Sequence, residues 1–332
     1  MTRIFLFFIL MLTVPMTFAQ KRLSRIDSIQ DEKAAEALIY SFGDNYSKFK
    51  IKKIRNFKAE YENPEFCRQK ADLLKITKSY YKADFDHNGL TDILVIGEAY
   101  SNFYIFIVMD YGNNYLKIKH LNRGIGSECS FPKILNNAII RYYYMYYPAR
   151  GVKEKTSFKH KNLLFKYDDF IEYNLHPVSY SIEKIEYQTT GCYGSCPIFK
   201  LSIDKNKEAY LKAEHYNSPK TNDKEISGNF IAQIDDKSYS EIISLLNYID
   251  FPNLKDNYDV NWTDDQTSYL TITYNNGKKK AIRDYGLIGT YGLDRLYKLL
   301  FQLRFNQKWV TDPKTEKIKF LNPKSIPEIK IN

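Results

Sequence analysis

Phe199-Lys200-Leu201-Ser202-Ile203, followed by Asp204-Lys205-Asn206-Lys207 and then Ala209-Tyr210-Leu211-Lys212-Ala213, is the stretch whose reading decides the fold. Phe199, Leu201 and Ile203 alternate with Lys200 and Ser202, so one face is apolar and the other polar, and the four polar residues that follow make a turn. The segment therefore reads as a β-hairpin with one buried and one wet face. Downstream, Ser238 and Glu241 have the spacing of a capping box, and Tyr239, Ile242, Ile243, Leu246 and Ile249 recur behind them at helical intervals. Tyr269–Tyr274 and Lys279–Asp284 flank Asn275-Asn276-Gly277 as a second hairpin. Leu293, Leu296, Leu299, Leu300 and Leu303 supply the apolar stripe of a closing helix. The order hairpin, helix, hairpin, helix predicts an α+β layer structure over 176–310.

Working back from Ile182, where this alternating set begins, His176-Pro177 interrupts the pattern and marks a domain boundary. Residues 20–175 have a different character. Ile93–Ile96, Phe103–Met109, Tyr115–Ile118, Ala138–Tyr147 and Leu163–Tyr167 are rich in β-branched and aromatic side chains, and Asn88-Gly89, Gly112-Asn113-Asn114 and Asn136-Asn137 separate them. An antiparallel meander is expected. Two helices precede it, over Asp31–Phe42, where Ala34, Ala35, Leu38 and Ile39 share a face, and over Pro64–Leu74, with the proline in the first turn. The tail 311–332 bears lysines and prolines without periodicity and is expected to be loosely held.

The amino terminus predicts the compartment. Arg3 precedes an apolar run from Ile4 to Val14, and Thr17-Phe18-Ala19 offers small residues at a cleavage position, the pattern of an export signal over residues 1–19. That run is too short to span a membrane, and no later stretch reaches the roughly 20 apolar residues a spanning helix needs. The mature chain is expected to begin near Gln20, to lack a transmembrane segment, and to be periplasmic or secreted. Net charge is +10, but the lysines are dispersed. The one run, Lys278-Lys279-Lys280, falls on a hairpin edge where solvation explains it, so no nucleic-acid partner is expected.

Asp84-Phe85-Asp86-His87-Asn88-Gly89-Leu90-Thr91-Asp92 places side-chain oxygens at the first, third, fifth and ninth positions, with glycine at the sixth to permit the bend. It resembles the calcium loops of FG-GAP-type repeats, and that resemblance makes Asp84, Asp86, Asn88, Asp92 and the Leu90 carbonyl calcium ligands. Val95 stands at position twelve, so the bidentate glutamate of a helix-loop-helix site is missing, and no second copy recurs at a fixed period. A local staple is expected, not a propeller. The competing reading is an Asx-rich turn whose side chains bond backbone amides without metal.

Cys67, Cys129, Cys192 and Cys196 permit three pairings. Gly191-Cys192-Tyr193-Gly194-Ser195-Cys196-Pro197 holds two glycines and a proline, which allow a tight loop, so Cys192 should pair with Cys196 and Cys67 with Cys129. A redox pair would have two intervening residues and a following helix; here a strand follows. The histidines show no metal spacing.

This cysteine segment, together with Trp262-Thr263-Asp264-Asp265-Gln266-Thr267, Gly277-Lys278-Lys279-Lys280 and Asp284-Tyr285-Gly286, resembles the bacterial domain of unknown function 6438 across about 180–309. The resemblance implies no activity. Asp264, Asp265, Asp284 and Tyr285 form the one cluster that could divide acid and base roles, and no nucleophile elbow, phosphate loop or zinc-protease signature occurs. The expected function is an exported, non-enzymatic binding protein of the bacterial envelope or secretome, stabilised by calcium and disulfides, whose partner is an envelope or extracellular protein or a glycan. The alternative is an exported enzyme, a hydrolase using those aspartates or a thiol oxidoreductase using Cys192 and Cys196.

Overall fold

The computed structural model describes residues 24–53, 56, 64–100, 102–123, 129–146, 156–219, 223–260 and 262–312. The expected export signal and the tail beyond Asp312 lie outside them. Asp31 caps helix α1 (Glu32–Tyr40), its carboxylate accepting the Ala34 amide at 2.7 Å, and Ala35, Leu38 and Ile39 form the buried face. Strand β1 (Lys50–Ile51) and helix α2 (Pro64–Leu73) follow. Then β2 (Tyr80–Ala83), β3 (Asp92–Ala99), β4 (Asn102–Asp110) and β5 (Leu116–His120) run as an antiparallel meander, with β1 beside β2 on the same edge of β3.

β3 and β4 are apolar on both faces because both faces are covered. Ile93, Val95, Phe106 and Val108 pack with α1, whereas Leu94, Ile96, Ile105 and Ile107 pack against a second sheet. That sheet holds β6 (Phe131–Ile134), β7 (Ile140–Tyr146), β8 (Ser157–Lys166) and β9 (Asp169–Glu172), antiparallel in sequence order. The expected meander is thus present as two sheets. A single sheet would have left one apolar face of β3 and β4 in water, at about 25 cal/mol per Å².

The second half forms one eight-stranded sheet. Its strands are β10 (Ile182–Thr189), β11 (Ile198–Asp204), β12 (Glu208–His215), β13 (Gly228–Gln233), β14 (Asn257–Asp259), β15 (Thr267–Tyr274), β16 (Lys278–Tyr285) and β17 (Val310–Thr311). The spatial order is β14-β16-β15-β10-β11-β12-β13-β17, with β14 parallel to β16 and every other pair antiparallel. Helices α3 (Asp236–Tyr248) and α4 (Tyr291–Asn306) bury Ile242, Leu245, Leu246, Leu293, Leu296 and Leu300 in the same core as Tyr187, Leu201, Leu211, Leu270 and Ile282 of the strands. This is the expected α+β arrangement, with extra strands on each hairpin. A register shift between Ile182 and Lys184 hides the alternation of β10, and β13 buries no residue fully, with Ile231 and Gln233 exposed.

Two local expectations are corrected. The cap of α3 is Asp235, whose carboxylate accepts the Ser238 amide at 2.9 Å and the Gln307 side chain at 2.6 Å; Glu241 instead pairs with Arg295 of α4 at 2.9 Å. An aspartate one turn earlier competes successfully with serine because its charge also meets the helix dipole. Thr311 and Asp312, assigned to the loose tail, hydrogen-bond along β13.

The two halves meet where β9 faces α4. Glu172 accepts the Tyr291 and Gly292 amides, each at 2.9 Å, so its carboxylate caps the amino terminus of α4. Arg123 donates to the Thr290 carbonyl at 2.9 Å and stacks 3.8 Å from the Tyr291 ring, while Tyr291 donates to the Leu121 carbonyl at 2.7 Å.

Candidate functional site

The motifs that single out the second half converge at one end of its sheet. Thr189 ends β10, Ser268 lies opposite it at the start of β15, and Asp284 lies opposite Ser268 near the end of β16. The cysteine loop connects β10 to β11 at this same end. Cys192 and Cys196 are joined, with Cα atoms 5.6 Å apart, and the loop is clamped from outside: buried Gln266 donates to both the Thr190 and Pro197 carbonyls at 2.8 Å, and Thr189 donates its hydroxyl to Pro197 at 2.7 Å. The Tyr193 amide donates to the Asp264 carbonyl at 3.0 Å. Tyr193 is held at its backbone yet its side chain is 92% exposed.

The candidate acid–base residues divide between two environments. Asp265 accepts from the Trp262 indole at 2.8 Å and from the Gln266 amide at 2.7 Å, and its own amide donates to the Tyr285 hydroxyl at 3.1 Å. Asp264 is exposed, with φ of +69°. Asp284 and Tyr285, being adjacent on a strand, point to opposite faces. Asp284 faces the helices and is fully buried, with one oxygen accepting the Gly289 amide at 2.9 Å. Burial pushes its carboxyl up to about 6, against the Gly289 amide, the Tyr297 hydroxyl and the Arg123 charge, which act the other way. Asp265 and Tyr285 are therefore brought together with Asp264 beside them, and Asp284 is sealed beneath.

The aspartate loop connects β2 to β3, with Ala83 and Asp92 paired at its base. His87 and Gly89 take positive φ, +58° and +84°, which turns the chain back on itself. Asp84, Asp86 and Asp92 each bring an oxygen within 4.8 Å of the others. Asp92 is buried, bridging the Phe85 and Asp110 amides at 2.8 Å each, and burial followed by the Asp86 and Asp84 charges pushes its carboxyl up to about 7. Asn88 turns its side-chain oxygen to the Leu90 amide at 2.7 Å and its nitrogen to Asp86 at 3.1 Å and to the Asp110 carbonyl at 2.7 Å. Asp84 accepts the Asn88 and Gly89 amides at 3.1 and 2.9 Å. The three carboxylates form a hard-oxygen set suited to a divalent cation, while the Asn88 oxygen serves the turn and the Leu90 side chain enters the core.

Cys67 and Cys129 are joined across a sequence separation of 62, tying α2 to the start of the second sheet. Both disulfides have the expected pairing. Residues that sequence reasoning did not single out are the Gln266 clamp, the Glu172 cap, and Tyr187 and Tyr297 around Asp284. Gln266 had a signal, being inside a quoted motif; the others become visible only through register and packing. Among the described residues no helix is long and apolar enough to cross a membrane. No curated protein and no solved structure matches the chain. Residues 183–304, which carry the cysteine loop, its Gln266 clamp and buried Asp284, match the family model described as domain of unknown function (DUF6438).

Proposed function

We propose that the protein is an exported, non-enzymatic binding module of the bacterial envelope or secretome, held together by two disulfides and a calcium ion, that engages a protein or glycan through its cysteine loop. Tyr193 carries this reading: a large aromatic ring 92% exposed on a backbone pinned by a disulfide, by Gln266 and by the Asp264 carbonyl. A ring presented this way loses little conformational freedom when a partner covers it, which is the property of an interface anchor. The separation of Asp284 from Asp264 and Asp265 favours binding over the hydrolase reading, because paired acid–base chemistry needs carboxylates around a common space. Two disulfides suit an oxidising compartment, in agreement with the leader-like residues 1–19.

Binding of immobilised wild type and Tyr193→Ala to a glycan array and to separated envelope proteins tests the loop. A ligand held at least tenfold more weakly by the variant, with unchanged melting, supports the reading; equal binding to every ligand found refutes it. Calcium would be held by Asp84, Asp86 and Asp92, supplying two positive charges where three carboxylates meet. At ten times its dissociation constant the ion stabilises the fold by about 1.4 kcal/mol, so melting in millimolar calcium against chelator should separate measurably. No separation removes the ion from the proposal.

A further inference from the structure

Tyr142, Tyr144 and Tyr146 occupy alternate positions of β7 and so share one face of the second sheet. Lys161 and Lys159 of β8 stand opposite Tyr142 and Tyr144, and each reaches diagonally to the next ring: Lys159 Nζ lies 3.6 Å from the Tyr146 centroid and Lys161 Nζ 5.7 Å from that of Tyr144. The row continues onto the second half. Tyr142 lies nearly parallel to Tyr144, with centroids 5.9 Å apart, and meets Tyr291 of α4 edge-on at 6.2 Å, where Arg123 covers the Tyr291 ring. Tyr142 and Tyr291 are buried, whereas Tyr144, Tyr146, Lys159, Lys161 and Arg123 keep partial access to solvent.

Charge along this row is unbalanced. Glu172 meets Lys161 at 3.2 Å, yet it already accepts the Tyr291 and Gly292 amides and faces both the Lys161 and Arg123 charges. Asp294, a second carboxylate acting on Arg123, is held by Lys298 at 2.8 Å. Burial holds the Lys161 ammonium below its ordinary range, and the Arg123 and Lys255 charges push the same way against Glu172. An anion placed on the row would relieve that repulsion.

We propose that this row is a binding site for an acidic glycan, its uronate carboxylates paired with Lys159, Lys161 and Arg123 and its sugar rings packed along Tyr144 and Tyr146. The C–H groups on the face of a sugar ring are weakly positive and suit the negative face of an aromatic ring. A ring and a cation repeat every two residues along the paired strands, so a ligand that repeats an apolar face and a carboxylate matches them unit by unit. Nucleic acid carries a phosphate on every nucleotide and is gathered by an extended basic field, which the dispersed lysines of this chain do not supply. The site is separate from the cysteine loop, being built from β7, β8, Arg123 and the entry of α4.

Lysine acetylation of the intact protein, read by mass spectrometry, tests the site with oligogalacturonate, a neutral maltooligosaccharide and single-stranded DNA as probes. Expected is severalfold slower modification of Lys159 and Lys161 in oligogalacturonate alone, with Lys184 and Lys212 of the eight-stranded sheet unaffected. Lys161→Gln should bind oligogalacturonate about tenfold more weakly. No protection of Lys159 and Lys161, equal protection by the maltooligosaccharide or the DNA, or unchanged oligogalacturonate binding by a folded Lys161→Gln would overturn the proposal. The protection pattern is measured on wild type, so it decides the question even where the variant melts early.

Discussion

Replacing Cys67 and Cys129 together by alanine should destabilise the protein far more than replacing Cys192 and Cys196. The first bridge closes a sequence separation of 62 and the second a separation of 4. A cross-link restricts the unfolded chain in proportion to the logarithm of the loop it closes, which gives about 4 kcal/mol for the long loop and about 2 kcal/mol for the short one at 25 °C. Packing widens the difference. Cys67 and Cys129 lie in the core between α2 and the second sheet, so their loss also opens a small apolar void, whereas Cys192 and Cys196 sit half-buried on a loop that Gln266 and Thr189 still hold. Urea unfolding of oxidised wild type and both double variants is the assay, and the steepness of the transition should rise most in Cys67→Ala/Cys129→Ala because its unfolded chain expands most. Equal losses in the two double variants, or a larger loss for the short loop, would refute the reasoning. It would place the stabilising effect in the native loop and not in the unfolded chain.

Asp284→Asn tests the sealed carboxyl. Burial raises it from 3.8 to about 6, so the folded protein binds this proton more tightly than the unfolded chain does; the stability it contributes is full below pH about 4 and lost as pH rises through about 6. The loss is about 3 kcal/mol. Urea midpoints from pH 4 to 8 should show the slope in wild type and a flatter profile in the variant, with Tyr187, Tyr258, Tyr297 and Arg123 as the charged or titratable neighbours; parallel profiles contradict it. Glu172→Ala should cost about 2–4 kcal/mol by stripping the α4 amides of their acceptor and leaving Lys161 without its carboxylate, and a thermal shift within error of zero would show that the cap carries nothing. Gly97→Ala puts a methyl 2.3 Å from the Lys50 carbonyl and the Phe49 ring, which should push β1 off β3 at a cost of about 1–3 kcal/mol. Unchanged hydrogen-exchange protection of the Lys52 amide, which donates to Ile96, would show β1 still in place.

Much of the architecture is written locally. Alternation in Phe199–Ile203, the turn residues at Asp204–Lys207 and Asn275–Gly277, and the leucine stripe of Leu293–Leu303 specify strands, hairpins and a helix through contacts a few residues apart. The short cysteine spacing likewise selects one disulfide and leaves the other pair by default. The aspartate loop was legible for the same reason, since its three carboxylates lie within nine consecutive residues. Tertiary structure decided what depends on register and cover. A period of two says that Asp284 and Tyr285 face opposite ways, but only the pairing of β10, β15 and β16, with α4 above them, puts Asp284 inside with two tyrosines and leaves Tyr285 beside Asp265. The division of the first meander into two sheets, the Glu172 cap on a helix more than a hundred residues away, and the exposure of Tyr193 have the same origin. Each is set by which surface another part of the chain covers, and no local pattern of side chains contains that information.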